Sequence, residues 1–284
     1  MRLKRTWLAV PAVLALSLGA CSGGGDAKTE DADQSGDAAA PIETSEEVII
    51  ANSSEPQNPL IPTNTNEVSG GKIIDLIFSG LVYYDAAGDV HNEVAESIET
   101  DDSQHYTVTL KEGWEFQDGT PVTAASFVDA WNLGAKESHL SAYFFEPIEG
   151  TTEDGVLEGT DTMSGLEVVD DQTFTITLKQ PESDFPLRLG YSAFYPLPQS
   201  TLDDVEEGGE NPVGNGPYKL DEWVHNEQIA LVPSDSYEGD RKAMNGGVDF
   251  IFYPTQTAAY ADLLSGQVDV LDAIPDEALS TFQE

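Results

Sequence analysis

Gly214-Asn215-Gly216 sets two glycines one residue apart, a spacing that lets a backbone approach a phosphate closely. A dinucleotide fingerprint also needs a strand before the glycines, a third glycine in the turn and a helix after it, so that the phosphate meets the helix N-terminus. Here Pro217 follows at once and disfavours the α region for Gly216. Tyr218, Leu220 and Trp223 then continue in the manner of a strand. The triplet reads as a tight turn feeding a hairpin, with no phosphate chemistry. Ser69-Gly70-Gly71-Lys72 matches the S-x-x-K pair of penicillin-recognising enzymes, but no K-T-G follows, so it reads as a chance match at a helix start. The histidines, at 91, 105, 139 and 225, have no metal-ligand spacing and contain no H-E-x-x-H; they read as surface or turn residues. Asp31, Asp33, Ser35 and Gly36 copy the start of a calcium loop, but Ile42 stands where a bidentate Glu is required. Acid pairs at Asp101-Asp102, Asp170-Asp171 and Asp203-Asp204 are expected by number alone. Two carboxylates facing each other across a cleft would be glycoside-hydrolase chemistry, which stays open as the enzyme alternative. No catalytic residue, metal site or cofactor is assigned.

The charge balance excludes whole classes of partner. There are 52 Asp+Glu against 12 Lys+Arg, a net charge of -40. A nucleic-acid binder needs cationic surface to displace counterions, and this chain has almost none. Anionic lipid headgroups would also repel it; so acidic a surface is solvated and self-repelling.

The N-terminus predicts an address. Arg2, Lys4 and Arg5 precede an apolar run, WLAVPAVLALSLGA, too short for a comfortable membrane span and interrupted by Pro11. Residues 1–20 therefore read as a signal peptide. Leu18-Gly19-Ala20-Cys21 resembles the lipobox of bacterial lipoproteins, which implies cleavage before Cys21 and lipidation of its thiol. Residues 21–45 then form a Gly-, Ser-, Ala- and acid-rich tether that cannot bury enough surface to fold. The expected location is lipid-anchored on the extracytoplasmic face of the cell membrane.

The remaining chain is mixed α/β. Val48–Ala51 predicts a short buried strand. Ile73, Ile74, Ile77 and Phe78 recur at helical spacing, with Gly80 suited to the C-terminal cap. Tyr106, Val108 and Leu110 alternate with polar residues as a half-buried strand, Asp118-Gly119 is a turn, and Thr123 caps a helix that puts Phe127, Val128 and Trp131 on one face. Phe174, Ile176 and Leu178 form another strand after a turn at Asp170-Asp171. Residues 217–233 predict a hairpin with His225-Asn226 near its tip. A helix from about Ala258 to Ser265 ends before Gly266, and a strand is expected at 268–271.

Taken in order, several stretches resemble the family 5 extracellular solute-binding proteins, the dipeptide and oligopeptide receptors of bacterial ABC importers. They are IFSGLVYYD, EVAESIETDDSQHYTVTLKEGWEFQDGTPVTAASFVDAWN, GLEVVDDQTFTITLKQP, YPLP, VGNGPYKLDEW and LLSGQVDVLDAIP, covering residues 46–284. Ser126 departs from the acid usual in the family's helix, and Ser236-Tyr237-Glu238 lacks the tryptophan often found after the tyrosine. Family members are also much longer, so the chain is expected to be an N-terminal fragment. The resemblance implies a periplasmic-binding-protein-like type II fold (cluster C), α/β, with mixed sheets and two lobes partly present. The first, incomplete lobe would hold 46–79 and 196–284; the smaller appended lobe would hold 80–195. The opposing C-terminal lobe, carrying the acid that grips a peptide amino terminus, would lie outside this chain.

The function so implied is a non-enzymatic, monomeric receptor that encloses a peptide and docks on permease subunits. Relatives of the same fold take oligosaccharides, nickel chelates, glutathione or opines, which is the alternative ligand reading. The segments resembling the family's cleft lining are Asn64, Thr65, Asn66 and Glu67 in the loop before the first helix, and Tyr143 and Phe144 in the aromatic run.

Overall fold

The structure, a computed structural model, describes residues 44–282. The predicted signal peptide, Cys21, the calcium-loop match and all but the last two residues of the predicted tether lie outside those residues. In chain order, β1 is Val48–Ser53, α1 Val68–Ile77, β2 Val82–Tyr84, β3 Val90–Asn92, β4 Ala95–Glu99, β5 His105–Leu110 and α2 Ala124–Lys136. They are followed by β6 Leu166–Asp170, β7 Thr173–Thr177, α3 Gln199–Asp203, α4 Val205–Glu210, β8 Tyr218–Val224, β9 Gln228–Pro233, β10 Gly247–Phe252 and α5 Gln256–Ser265.

The strands make two four-stranded sheets and one small ribbon. The first sheet runs β1-β10-β9-β8, with β1 parallel to β10 and the other pairs antiparallel. The second runs β4-β5-β7-β6 and is antiparallel throughout. The alternation read from sequence sets its buried face: Tyr106, Val108 and Leu110 of β5 are buried, as are Phe174 and Ile176 of β7. β2 and β3 pair as a short ribbon.

Helix α2 packs its apolar stripe on this second sheet. Trp131 is fully buried and meets Phe145, Phe174 and Phe194 at ring-centroid distances of 6.3, 5.6 and 5.2 Å. The last two contacts are edge-on, the arrangement favoured by the aromatic quadrupole. The helix start explains the departure at Ser126. Its Oγ accepts from the Thr123 backbone N–H at 3.1 Å, the role a longer acid plays in a capping box. A serine serves because the cap is close.

Two sequence expectations need correction. Gly80 does not cap α1, because the chain leaves the helix through Phe78 in extended conformation. A Cβ at Gly80 would lie 2.8 Å from the Tyr195 ring, so the glycine is required for that ring's close approach. The strand expected at 268–271 shrinks to a single parallel bridge between Ala51 and Val270. One side of β1 is taken by β10, and Val270 is half exposed, so little apolar burial rewards a longer pairing.

Gly214-Asn215-Gly216 leads into the β8–β9 hairpin as expected, and the structure adds why glycines stand there. Neither glycine has a positive φ, so the left-handed freedom of glycine is not what the triplet uses. It lies instead against the end of α1. Gly216 N–H donates to the Ile77 carbonyl at 2.8 Å, and a Cβ on Gly214 would fall 2.0 Å from that oxygen. Gln117 Nε2 donates to the same carbonyl at 3.2 Å. Both donors satisfy a carbonyl that the last turn of a helix leaves without an intrahelical partner.

Candidate functional site

The face of α1 opposite its core side lines a cleft of about 570 Å³. Ile73, Ile74 and Ile77 point into the core, while Val68, Gly71, Lys72 and Asp75 recur at the complementary helical positions along the cleft. The residue at Gly71 keeps the wall low: a Cβ there would meet nothing within 4 Å. The opposite side is built from Tyr83 and Tyr84 on β2, the turn Gly190–Ser192, Tyr195 and Arg241.

The positive charges of the cleft are already occupied. Arg241 donates from Nε and Nη2 to the two carboxylate oxygens of Glu93, at 2.9 and 3.0 Å. Glu93 is 2% exposed, and Tyr237 Oη donates to it at 2.5 Å. Arg241 Nη2 also donates to Ser79 Oγ at 3.0 Å, so this fork ties the end of α1 to the loop after β9. Lys72 Nζ is 2.7 Å from Asp272 and donates to the Asn52 carbonyl at 2.9 Å. That spends the lysine of the S-x-x-K match on a structural ion pair, while Ser69 Oγ bonds Ser54 Oγ at 2.5 Å.

Asp75 is different. Among the described residues it forms no salt bridge, and its one side-chain hydrogen bond comes from Tyr195 Oη at 3.1 Å. Its side chain is open to solvent within the cleft, yet protein surrounds it on most sides. That partial desolvation raises its pKa above the ordinary 3.8, against the lowering effect of the Tyr195 hydrogen bond and of nearby Arg241. Tyr195, buried beneath it, has its phenol pKa raised by burial first and by Asp75 second.

The six residues expected at the site fall in three groups. Asn66 is exposed on the cleft lining. Thr65 and Glu67 also line it, but their polar atoms are engaged. Thr65 Oγ1 is shared between the Ile61 and Pro59 carbonyls, and the Glu67 carboxylate accepts from Gly70 N–H at 2.9 Å as the N-cap of α1. Asn64 lies off the lining, its Oδ1 accepting from Leu140 N–H at 3.2 Å. Tyr143 and Phe144 are off it too. Phe144 nevertheless stacks on Tyr191 at 4.2 Å, and Tyr143 lies tilted against Phe144 at 4.6 Å, a run of rings that ends on the cleft wall. Asp75, Tyr83, Tyr84, Tyr191, Tyr195 and Arg241 were not singled out from sequence. The available signal was Asp75 seven residues after Val68, on the side of the helix away from Ile73, Ile74 and Ile77, and the adjacent pair Tyr83-Tyr84.

Among the described residues, no group of three or more His, Cys, Asp or Glu side chains is arranged to hold a metal ion. No helix among them is long and apolar enough to cross a membrane.

Comparison with known proteins gives a consistent result. Residues 89–284 match the model for bacterial extracellular solute-binding proteins, family 5 Middle. The periplasmic murein peptide-binding protein MppA of Escherichia coli K12 is 30% identical over 210 residues, 72% of this chain and 39% of that protein. The periplasmic oligopeptide-binding protein OppA of the same organism is 28% identical over 233 residues, 79% of this chain and 42% of that protein. The solved structure of E. coli MppA superposes with a TM-score of 0.76 at 26% identity, covering 84% of this chain and 48% of that one. The chain thus spans about two-fifths of the length of these relatives, and its mixed α/β architecture is theirs.

Proposed function

This chain belongs to the bacterial extracellular solute-binding proteins, family 5, and from that premise we propose that it is a receptor, not an enzyme, that captures peptides for an ABC importer. The observation that carries this reading is the cleft along α1. Its wall offers tyrosine rings, a free carboxylate and exposed Asn66, groups that contact an extended peptide without demanding one sequence. The sequence relatives that match it include a murein peptide-binding and an oligopeptide-binding protein.

Two further parts complete the proposal. Residues 46–79 with 196–284 form one lobe, and residues 80–195 the other. Supporting this, β1, β8, β9 and β10 all fall in the first set and β4 to β7 in the second, while the cleft draws residues from both. Cys21 carries the lipid that holds the receptor at the extracytoplasmic face, where it meets the permease.

Mass spectrometry of small molecules that co-purify with the native gene product tests the ligand. A mixture of short peptides is the expected result. A single sugar, opine or metal chelate would move the assignment to another solute on the same fold. An empty protein that hydrolyses a glycoside would refute the receptor reading. Cys21→Ala should release the protein from membranes; retention would refute the anchor.

A further inference from the structure

Charge and aromatic surface are arranged unevenly in the cleft. Lys72 and Arg241 are neutralised by Asp272 and Glu93, neither of which lines it. Glu67 is committed to the N-cap of α1. Among the described residues neither acid has a cation, but the Glu67 carboxylate is held by the Gly70 and Gln57 backbone N–H groups, whereas Asp75 accepts only from Tyr195, so Asp75 is the less compensated negative charge of the site. Around that position stand the rings of Tyr84, Tyr191 and Tyr195.

The chain has set these rings with some care. A Cβ at Gly190 would lie 2.9 Å from two atoms of the Tyr84 ring, and one at Gly80 would lie 2.8 Å from Tyr195. Each glycine lets a ring lie against bare backbone. Tyr84 Oη is fixed by the Leu187 carbonyl at 2.6 Å, Tyr195 Oη by Asp75, and Tyr191 by stacking on Phe144 at 4.2 Å. The Tyr84 and Tyr195 hydroxyls are thus turned to protein partners, and the accessible rings beside the free carboxylate are those of Tyr84 and Tyr191, with Tyr195 buried beneath it. A carboxylate flanked by electron-rich rings attracts a cation twice, by charge and by the ring quadrupoles.

We propose that the Asp75 end of the cleft is a subsite for a cationic group, an ammonium or guanidinium, so that the receptor selects peptides carrying a basic residue. This deepens the peptide reading and rests on it for the ligand class, while the subsite itself rests on Asp75, the rings of Tyr84 and Tyr191, and the buried Tyr195 that holds the carboxylate. Burial raises the Asp75 pKa, and a bound cation would act in the opposite direction.

The test is an NMR titration of the 284-residue chain with three probes: the tripeptides Ala-Lys-Ala and Ala-norleucine-Ala, and the non-peptide cation agmatine. The expected result is that Ala-Lys-Ala and agmatine shift the amide signals of Asp75, Tyr84, Tyr191 and Ser192. Ala-Lys-Ala should bind roughly tenfold more tightly than Ala-norleucine-Ala, the scale of one charge-assisted contact. In Asp75→Asn, which keeps an acceptor for Tyr195, that preference should disappear while the rest of the spectrum is unchanged. Tyr191→Leu should weaken it in a chain that still has the carboxylate. Equal affinity for the two tripeptides, or a preference that survives Asp75→Asn, would overturn the cationic subsite and leave peptide capture standing. Shifts with agmatine and with neither tripeptide would uphold the subsite and count against peptides. Silence with all three probes would overturn the subsite.

Discussion

Asn215 grips the backbone of Ser79 from a distance of 136 residues in sequence, receiving its N–H at Oδ1 (2.9 Å) and donating from Nδ2 to its carbonyl (3.0 Å). Both residues are buried, so the amide replaces water for two backbone groups that would otherwise be stranded. Asn215→Ala is expected to cost about 2–4 kcal/mol, the sum of two unsatisfied buried partners. Asn215→Asp should cost no less, since a carboxylate cannot donate to the Ser79 carbonyl. Urea denaturation measures both, with the exposed Asn211→Ala as a control expected within about 0.5 kcal/mol of the parent.

Gly214→Ala and Gly71→Ala should have opposite signs. At Gly214 the new methyl would meet the Ile77 carbonyl at 2.0 Å, and overpacking of this kind costs about 1–3 kcal/mol. At Gly71, inside α1, it would meet nothing within 4 Å, and the gain in helix propensity should stabilise by about 0.5–1 kcal/mol. Thermal melting of the two variants checks the contrast.

Removing one member of the Glu93–Arg241 pair should be much worse than removing both. Arg241→Met leaves a carboxylate 2% exposed with no cation, at an expected cost of about 3–5 kcal/mol. Adding Glu93→Gln to that variant should recover a large part of the loss. A double variant no more stable than the single one would show that Arg241 acts through packing alone.

His225 and His139 should titrate on opposite sides of the ordinary 6.5. His225 donates toward Glu55 and Glu210, at 2.8 and 3.2 Å, which requires both ring nitrogens protonated; the Glu55 bond leads in raising its pKa. Burial lowers that of His139, against the raising effect of Glu137. For a raised pKa, the stabilisation is fully present below pH 6.5 and is lost as pH rises through the folded value. His225→Gln should remove that part of the pH dependence. NMR titration of the imidazole signals reports the order directly.

The strands and helices were legible where periodicity was strong and local. The alternation in β5 and β7, the Thr123 start of α2 and the Asn226 turn of the β8–β9 hairpin all follow from neighbours in sequence. So did three residues of the cleft loop, because that loop had a family pattern to resemble. What could not be read was long-range: that Gly80 and Gly190 clear space for rings, that Gly214 approaches Ile77, and that Glu93 lies buried because Arg241 arrives 148 residues later. The cleft itself is of this kind. Its tyrosines are ordinary residues in a one-dimensional view, and Asp75 is one acid among many until its lack of a cation partner is seen.

The pairing of β1 with β10 also dictates an order of assembly. Val48 meets Gly247 across the parallel ladder, so the first strand has no β10 partner until about 200 residues later in the chain. The β4-β5-β7-β6 sheet, whose strands all lie between 95 and 177, can close long before. Loop-closure entropy makes the long-range step the slow one. On the ribosome, an early half would therefore stand folded while β1 and α1 wait in solution. The cleft, which needs both, would take shape only once the early half and α1 have come together.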